Sequence, residues 1–154
     1  KAGDCGVIEE TRPLSKEKRW KIISKIYNSN NTMIQERSVL KVADNSGAKI
    51  IRCFRILGGS RKRYARLGEI FIASVQEAEP RKNIKKKDIV KAVLVRQRKA
   101  LRRADGSYVK FDENAAVLIN VKKEPIGTRI FGPIPRELKE KGFEKIVTMA
   151  EEIV

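Results

Sequence analysis

The chain has 154 residues, of which 41% are hydrophobic and 35% charged, enough apolar material for one domain with a real core under a densely ionic surface. Lys and Arg total 35 against 19 Asp and Glu, a formal net charge of +16, so self-repulsion opposes the compact state unless a counter-charge is present, and nucleic acid is the common partner. No segment approaches the roughly 20 apolar residues of a spanning helix and none is a clear basic amphipathic helix, so no membrane partner is expected.

Residues 1–32 differ in character from the rest of the chain. The stretch 9–20 reads EETRPLSKEKRW and 21–27 reads KIISKIY, where Ile22, Ile23 and Ile26 suit one strand or a short helix. Asn28 to Thr32 (NSNNT) is polar and turn-prone, and the expected boundary falls there: an N-terminal extension over 1–32 and a domain over 33–154. A segment as short as the first cannot bury a core alone. The chain opens on Lys1, so an upstream piece is expected to have been removed or to lie outside this sequence. No secretory signal is visible.

From Met33 the pattern is one of short strands. Ser38 to Ala43 alternates, with Val39, Lys41 and Ala43 on one side and Leu40 and Val42 on the other. Asp44-Asn45-Ser46-Gly47 is a turn. Lys49 to Leu57 is a second strand, in which Arg52 and Arg55 interrupt an apolar run, and Gly68 to Val75 is a third. A charged connection, Glu77 to Lys87, ends in three lysines. Ala92 to Leu118 then organises the chain. Val93-Leu94-Val95 suits a buried strand, Asp105-Gly106 is a two-residue turn signal, Tyr108 and Phe111 lie on a second extended segment, and Val117 to Ile119 is a further apolar run. Strands and turns at this spacing indicate a barrel or sandwich. At the end, Arg136 to Lys141 favours a helix with Pro135 in its first turn and Gly142 as its cap. Phe143, Ile146, Val147 and Ala150 fall on one face of a second helix, a stripe best read as core packing.

Two basic segments stand out. Gly58-Gly59-Ser60-Arg61-Lys62-Arg63-Tyr64 joins glycines, which allow close backbone approach to phosphate, to three cations and an aromatic that can stack on a base. The spacing is not that of a Walker loop. The hairpin carries Arg96, Arg98, Lys99, Arg102 and Arg103, whose mutual repulsion a polyanion would offset. Each segment alone reads as an ordinary solvated basic loop; together they favour RNA. With Lys49, Arg52 and Arg55 from the second strand they form the candidate RNA-binding set. Lys85 to Lys87 reads as a solvated face.

Histidine is absent, which removes the usual general base and the commonest metal ligand. Cys5 and Cys53 lack a CxxC partner and fit a reducing compartment, with no zinc site or disulfide framework. Cys53 is expected to be a small buried hydrophobe. Asp112 and Glu113 would face opposite sides of a strand and make a poor catalytic pair. No catalytic residue, metal or cofactor is expected.

Residues 33–154 resemble the family of universal ribosomal protein number 14 of the large subunit, in its bacterial form. The resemblance rests on MIQERSVLKVADNSGAK at 33–49, LGGSRKRYA at 57–65, the hairpin from AVLV through DGSYVKFDENAAVLI, and PIGTRIFGPIPREL at 125–138. It implies a mainly β fold: a small closed five-stranded barrel with short C-terminal helices. It also implies a structural, non-enzymatic role that includes binding large-subunit rRNA and a place at the subunit interface. The implied partners are neighbouring large-subunit proteins, small-subunit rRNA across the interface and the ribosome-silencing factor. The protein-contact surface would include Thr128, Arg129 and Lys145. The implied location is a bacterial cytoplasmic ribosome, or a mitochondrial or plastid one. The family commonly ends in Leu-Ala-Pro-Glu; Met149-Ala150-Glu151-Glu152 lacks that proline, so the last turn is expected to continue as helix.

Residues 3–30 resemble the C-terminal end of universal small-subunit ribosomal protein number 17, which suggests a gene fusion or read-through. The alternative is an unrelated extension that wraps a neighbouring RNA helix. Two other readings of the whole chain compete. A free single-stranded nucleic-acid-binding barrel would need exposed aromatics on strand faces, whereas most of the few aromatics here sit in apolar contexts. An enzyme lacks a clustered acid–base set.

Overall fold

The computed structural model describes residues 5–10, 20–26 and 33–154, with side chains for the last of these. The chain divides into two compact units, Lys1–Asn30 and Asn31–Val154. In the first, β1 (Cys5–Glu10) pairs antiparallel with β2 (Trp20–Ile26), from Cys5 opposite Ile26 to Glu10 opposite Trp20. The segment containing Ile22 to Ile26 is therefore a strand rather than a helix. The turn-prone stretch 28–32 lies outside the described residues.

The second unit contains β3 (Val39–Val42), β4 (Ala48–Ile56), β5 (Ile70–Ala78), β6 (Ile89–Arg96), β7 (Leu101–Arg102), β8 (Tyr108–Val109), β9 (Ala115–Ile119), β10 (Ile130–Ile134), α1 (Glu137–Glu140), α2 (Glu144–Thr148) and β11 (Ala150–Ile153). Strands β3-β4-β5-β6-β9 close into a barrel. Its neighbours are antiparallel except at the seam, where β3 runs parallel to β9 with Lys41 opposite Ala115. The fold is mainly β, a closed five-stranded barrel with two short helices near the C-terminus, as the resemblance implies.

Two apolar clusters explain the sequence pattern. On β5 every second residue from Phe71 to Val75 is buried, on β4 register shifts interrupt the alternation, and Ile51, Cys53, Phe71, Ala73 and Val75 fill the barrel with polar or half-exposed neighbours outside. On β6 and β9 the alternation disappears because both faces are covered. Ala92, Leu94, Ala116 and Leu118 point into the barrel, while Val93, Val95, Ala115, Val117 and Ile119 lie under a second cluster. That cluster contains Ile130, Ile134, Leu138, Phe143, Ile146 and Val147, so the C-terminal elements form a lid over the outer face of β6 and β9. Continuous apolar runs are the mark of strands buried on both sides. Leu94 and Leu118 are both fully buried, and truncation of such a side chain to alanine typically costs about 2–5 kcal/mol.

Several elements differ from expectation. Ala43 is buried in the second cluster, unlike its exposed i−2 neighbour Lys41, because β3 has already ended. The hairpin has two parts. Its long strands β6 and β9 belong to the barrel, and the residues between them form a separate ribbon, β7–β8, with Leu101 opposite Val109 and Arg102 opposite Tyr108. The ribbon loop has three residues rather than two. Arg103 N–H donates to Ser107 O, Gly106 N–H donates to Arg103 O, and Gly106 sits at φ 86°, the left-handed position that closes a three-residue loop. Asp112 and Glu113 lie in a bend, not a strand. The C-terminus does not continue as helix: Ala150–Ile153 is a strand parallel to β10, and its pairing overrides the helical preference of Met-Ala-Glu-Glu. Among the described residues no helix is long and apolar enough to cross a membrane.

Candidate nucleic-acid interface

The loop Gly58–Tyr64 follows β4 directly. Arg61, Arg63 and Tyr64 are exposed, Tyr64 at 39%. Lys62 turns the other way and forms an ion pair with Glu69 at 3.0 Å, and the same carboxylate accepts the Arg66 N–H at 2.8 Å. Lys62 therefore anchors the loop while its neighbours project. Arg61 has φ 65°, a left-handed conformation uncommon outside glycine and asparagine.

The hairpin cations also sort into groups, which corrects the view of five charges repelling one another in solvent. Arg96 is 8% exposed. Its Nη1 donates to Phe131 O at 2.8 Å and its Nη2 pairs with Glu113 at 3.1 Å, while Glu113 also holds Lys41 at 2.8 Å. Burial lowers the Arg96 pKa, and the Glu113 charge only partly opposes this. The guanidinium lies against Gly132, where a β-carbon would collide with it; that close approach requires glycine. Arg103, with its side chain 14% exposed, pairs with Glu137 and donates to Val154 O at 2.7 Å. Arg136 reaches Asp105 at 3.1 Å, a second tie between α1 and the ribbon loop.

Arg98 Nε donates to Asp112 O at 2.6 Å, and Lys99 Nζ reaches the Met33 sulfur at 3.3 Å. Arg102 is exposed and, among the described residues, has no ion pair. Ile34 bridges to Ala65, directly after the basic loop. The loop and the base of the hairpin are thereby tied through residues 33 and 34.

On β4, Arg52 and Arg55 are exposed and have no ion pair among the described residues, while Lys49 lies 3.7 Å from Glu79. Lys85 and Lys86 line an open cleft of about 650 Å³ whose wall also contains Glu77 and Glu79, a surface of mixed sign. Cys53 is buried, and burial pushes its thiol up to about 11, which keeps it neutral and inert. Among the described residues no group of three or more potential ligands is placed to hold a metal.

Of the protein-contact candidates, Thr128 and Arg129 are tied to the turn 44–47. Asn45 holds the segment before β10: its Nδ2 donates to Thr128 Oγ1 at 2.9 Å, and its Oδ1 accepts the N–H of Thr128 at 2.8 Å and of Arg129 at 3.2 Å. Arg129 pairs with Glu151 on β11 and stands over the Phe131 ring at 5.7 Å; Lys145 pairs with Glu124. Thr128, Arg129 and Lys145 are all exposed.

Sequence reasoning missed Phe54, which is 44% exposed on the outside of β4, and the exposed apolar side chains Val39 on the neighbouring β3 and Ile89 on β6. Aromatics are less hidden than expected: Phe54, Tyr64, Tyr108 and Phe131 are exposed, against Phe71, Phe111 and Phe143 in the core. It also missed the carboxylates that neutralise Arg96 and Arg103, since they lie 17 and 34 positions away.

The family model described as ribosomal protein L14p/L23e matches residues 33–154, which spans the barrel, the basic loop and ribbon, and the C-terminal lid. The chain belongs to the ribosomal protein L14p/L23e family, whose members are structural proteins of the large ribosomal subunit.

Proposed function

We propose that residues 33–154 bind large-subunit rRNA at the face that meets the small subunit, through Arg52, Arg55, Arg61, Arg63, Tyr64, Lys99 and Arg102. One observation carries this reading. In a chain of net charge +16, Arg52, Arg55, Arg61, Arg63 and Arg102 are exposed on β4, the loop after it and the ribbon with no ion pair among the described residues, whereas Arg103, Arg129, Arg136 and Lys145 each hold a carboxylate. Arg96, Arg103 and Lys62 act from inside, fixing the elements that present the others; Lys49 and Arg98 stand at the margin of the surface.

Thr128, Arg129, Lys145 and the exposed Phe131 form the surface for neighbouring ribosomal proteins and for the ribosome-silencing factor, while small-subunit rRNA approaches across the interface. The ribosome is that of a bacterium, or of a mitochondrion or plastid. Residues 1–32 form an extension outside the working domain, the remnant of a fusion or read-through; mass spectrometry of the mature protein, finding its N-terminus at Met33, checks this.

Filter binding to a large-subunit rRNA fragment across a salt series tests the RNA reading. Each neutralised phosphate contributes roughly 0.7–0.9 to the log–log slope, so the double variant R61A/R63A is expected to lower the slope by about 1.5. An affinity that does not change with salt refutes it.

A further inference from the structure

The exposed side chains on the outer wall of the barrel are arranged by a defect in the β4–β5 ladder. Cys53 lies opposite Ala73 and Arg55 opposite Ile72, so β4 has one more residue than β5 over this interval, and the extra one is Phe54. A β-bulge interrupts alternation and re-aims side chains. Without it, Phe54 and Arg55 would point to opposite sides of the wall; with it, both are exposed, and Arg52, two positions before Phe54, is exposed as well.

The surroundings of Phe54 are apolar and cationic. Ile72 on β5 is half-exposed, and its partner on β6 is the exposed Lys91. Two positions before Lys91, Ile89 is 72% exposed. Arg52, Arg55 and Lys91 form no ion pair among the described residues, and none of these register positions holds a carboxylate. Acidic side chains stand away from these register positions: Glu36, whose charge reaches Cys53, Asp88 before β6, and Glu77 opposite Ile50.

We infer that this wall is a stacking shelf for an unpaired nucleotide of RNA, with Phe54 under the base and Arg52 and Arg55 on the flanking phosphates. The inference rests on the proposed RNA binding and extends it to a different kind of contact. The loop and ribbon carry charge to a folded backbone; the shelf presents a π-face inside a cationic frame. An unstacked base offers an apolar plane and a phosphate on either side, which matches an aromatic ring between arginines. One aromatic on one bulge suits one base. The shelf is also continuous with the basic loop, since Gly58 lies four positions after Phe54, a span of at most about 14 Å. A strand that leaves the loop reaches the shelf within a few nucleotides.

The test uses the full chain, an eight-nucleotide single-stranded RNA containing one 4-thiouridine, and a fully paired RNA duplex of the same sequence. Ultraviolet cross-linking is expected to attach the thiouridine to the peptide bearing Phe54. Phe54→Ala is expected to weaken single-strand binding about 5- to 100-fold while duplex affinity is unchanged, and Phe54→Trp to restore it. The side chain is exposed, so thermal melting should report an intact fold for both. Wild-type single-strand affinity in Phe54→Ala overturns the shelf, as does an equal loss on duplex. So does burial of Phe54 under a protein neighbour in the assembled subunit, which would make the wall a protein contact. If the wild-type chain binds the rRNA fragment with a normal salt slope while the octamer is indifferent to Phe54, the shelf alone fails. If it binds no RNA at all, both readings fail.

Discussion

Asp44 carries its carboxylate to the point where β3 gives out. Up to Ala43 the seam of the barrel is held by backbone, with Ala43 N–H donating to Ala116 O. One residue later Asp44 Oδ2 accepts the Leu118 N–H at 2.8 Å, in place of the backbone carbonyl that a longer β3 would supply. Its Oδ1 accepts the Ser46 N–H at 2.9 Å and shapes the turn. Asp44→Ala leaves a buried N–H on β9 without a partner and is expected to cost about 1–3 kcal/mol, read by urea denaturation. Burial raises the Asp44 pKa above its ordinary 3.8, outweighing the hydrogen bonds from Ser46 and Leu118 that lower it. The folded chain therefore keeps a proton that the unfolded chain has released, so this contribution to stability falls as pH rises from about 3.8 through the raised value. Asp44→Asn should lack that component; an identical pH slope in wild type and Asp44→Asn would refute the assignment. Arg96 is the companion case at the other end of the strand pair. In the sequence it reads as a phosphate contact because it begins a run of cations. Arg96→Met is expected to lower stability by about 1–3 kcal/mol, since it unpairs Phe131 O and Glu113, and to leave the salt slope of RNA binding unchanged. A reduced slope would return Arg96 to the RNA surface.

The ribbon β7–β8 is too short to hold itself. Two cross-strand pairs form a marginal hairpin, and what fixes it lies elsewhere: Val109 and the half-buried Leu101 in the barrel cluster at its base, and the ties of Arg103 to Glu137 and of Arg136 to Asp105 at its tip. Burial would raise the Glu137 pKa, but the hydrogen bond and charge of Arg103, with the charge of Arg136, bring it below its ordinary value. The hydrogen bonds from Ser107 and the charges of Arg136 and Arg103 lower Asp105 likewise. Stability from this strap is present above the ordinary values of 4.5 and 3.8 and is lost as pH falls through the lowered ones. Glu137→Gln should raise hydrogen exchange several-fold at the Arg103 amide, which donates to Ser107 O, and leave β6 and β9 protected; unchanged ribbon exchange would show that the strap holds nothing. The same elements show what the sequence could reveal. β6 and β9 were legible because burial on both faces writes a continuous apolar run. The basic loop was legible from its composition. β11 was not, because Met149 to Glu152 favour helix locally and only the pairing with β10 makes them a strand. The sorting of cations was not legible either, since Glu113 and Glu137 reach Arg96 and Arg103 only once the chain is folded.

At the scale of the molecule the charge cannot be balanced from within. With 35 cations and 19 carboxylates, a surplus of 16 cations remains even if every carboxylate is paired. The barrel concentrates part of that surplus on β4, its loop and the ribbon, so the free protein bears self-repulsion on a surface that suits a polyanion. Salt should therefore act in opposite directions on folding and on binding. Added salt screens repulsion among exposed cations, with a Debye length that falls to about 8–10 Å near physiological ionic strength, and it also screens the exposed ion pairs. Magnitude decides which effect wins. Pairs such as Arg129–Glu151 and Lys145–Glu124 are half-exposed and of a kind worth about 0–1 kcal/mol each, whereas the surplus acts between every pair of unpaired cations within reach of one another. The melting temperature of the isolated protein is thus expected to rise between low and moderate salt, by roughly 2–4 °C for each kcal/mol relieved, over the same range in which RNA affinity falls. Differential scanning calorimetry beside the filter-binding series measures both. A melting temperature that stays flat or falls while affinity drops would mean that the cations are already neutralised inside the fold, and the charge surplus would then have no part in driving the protein onto RNA.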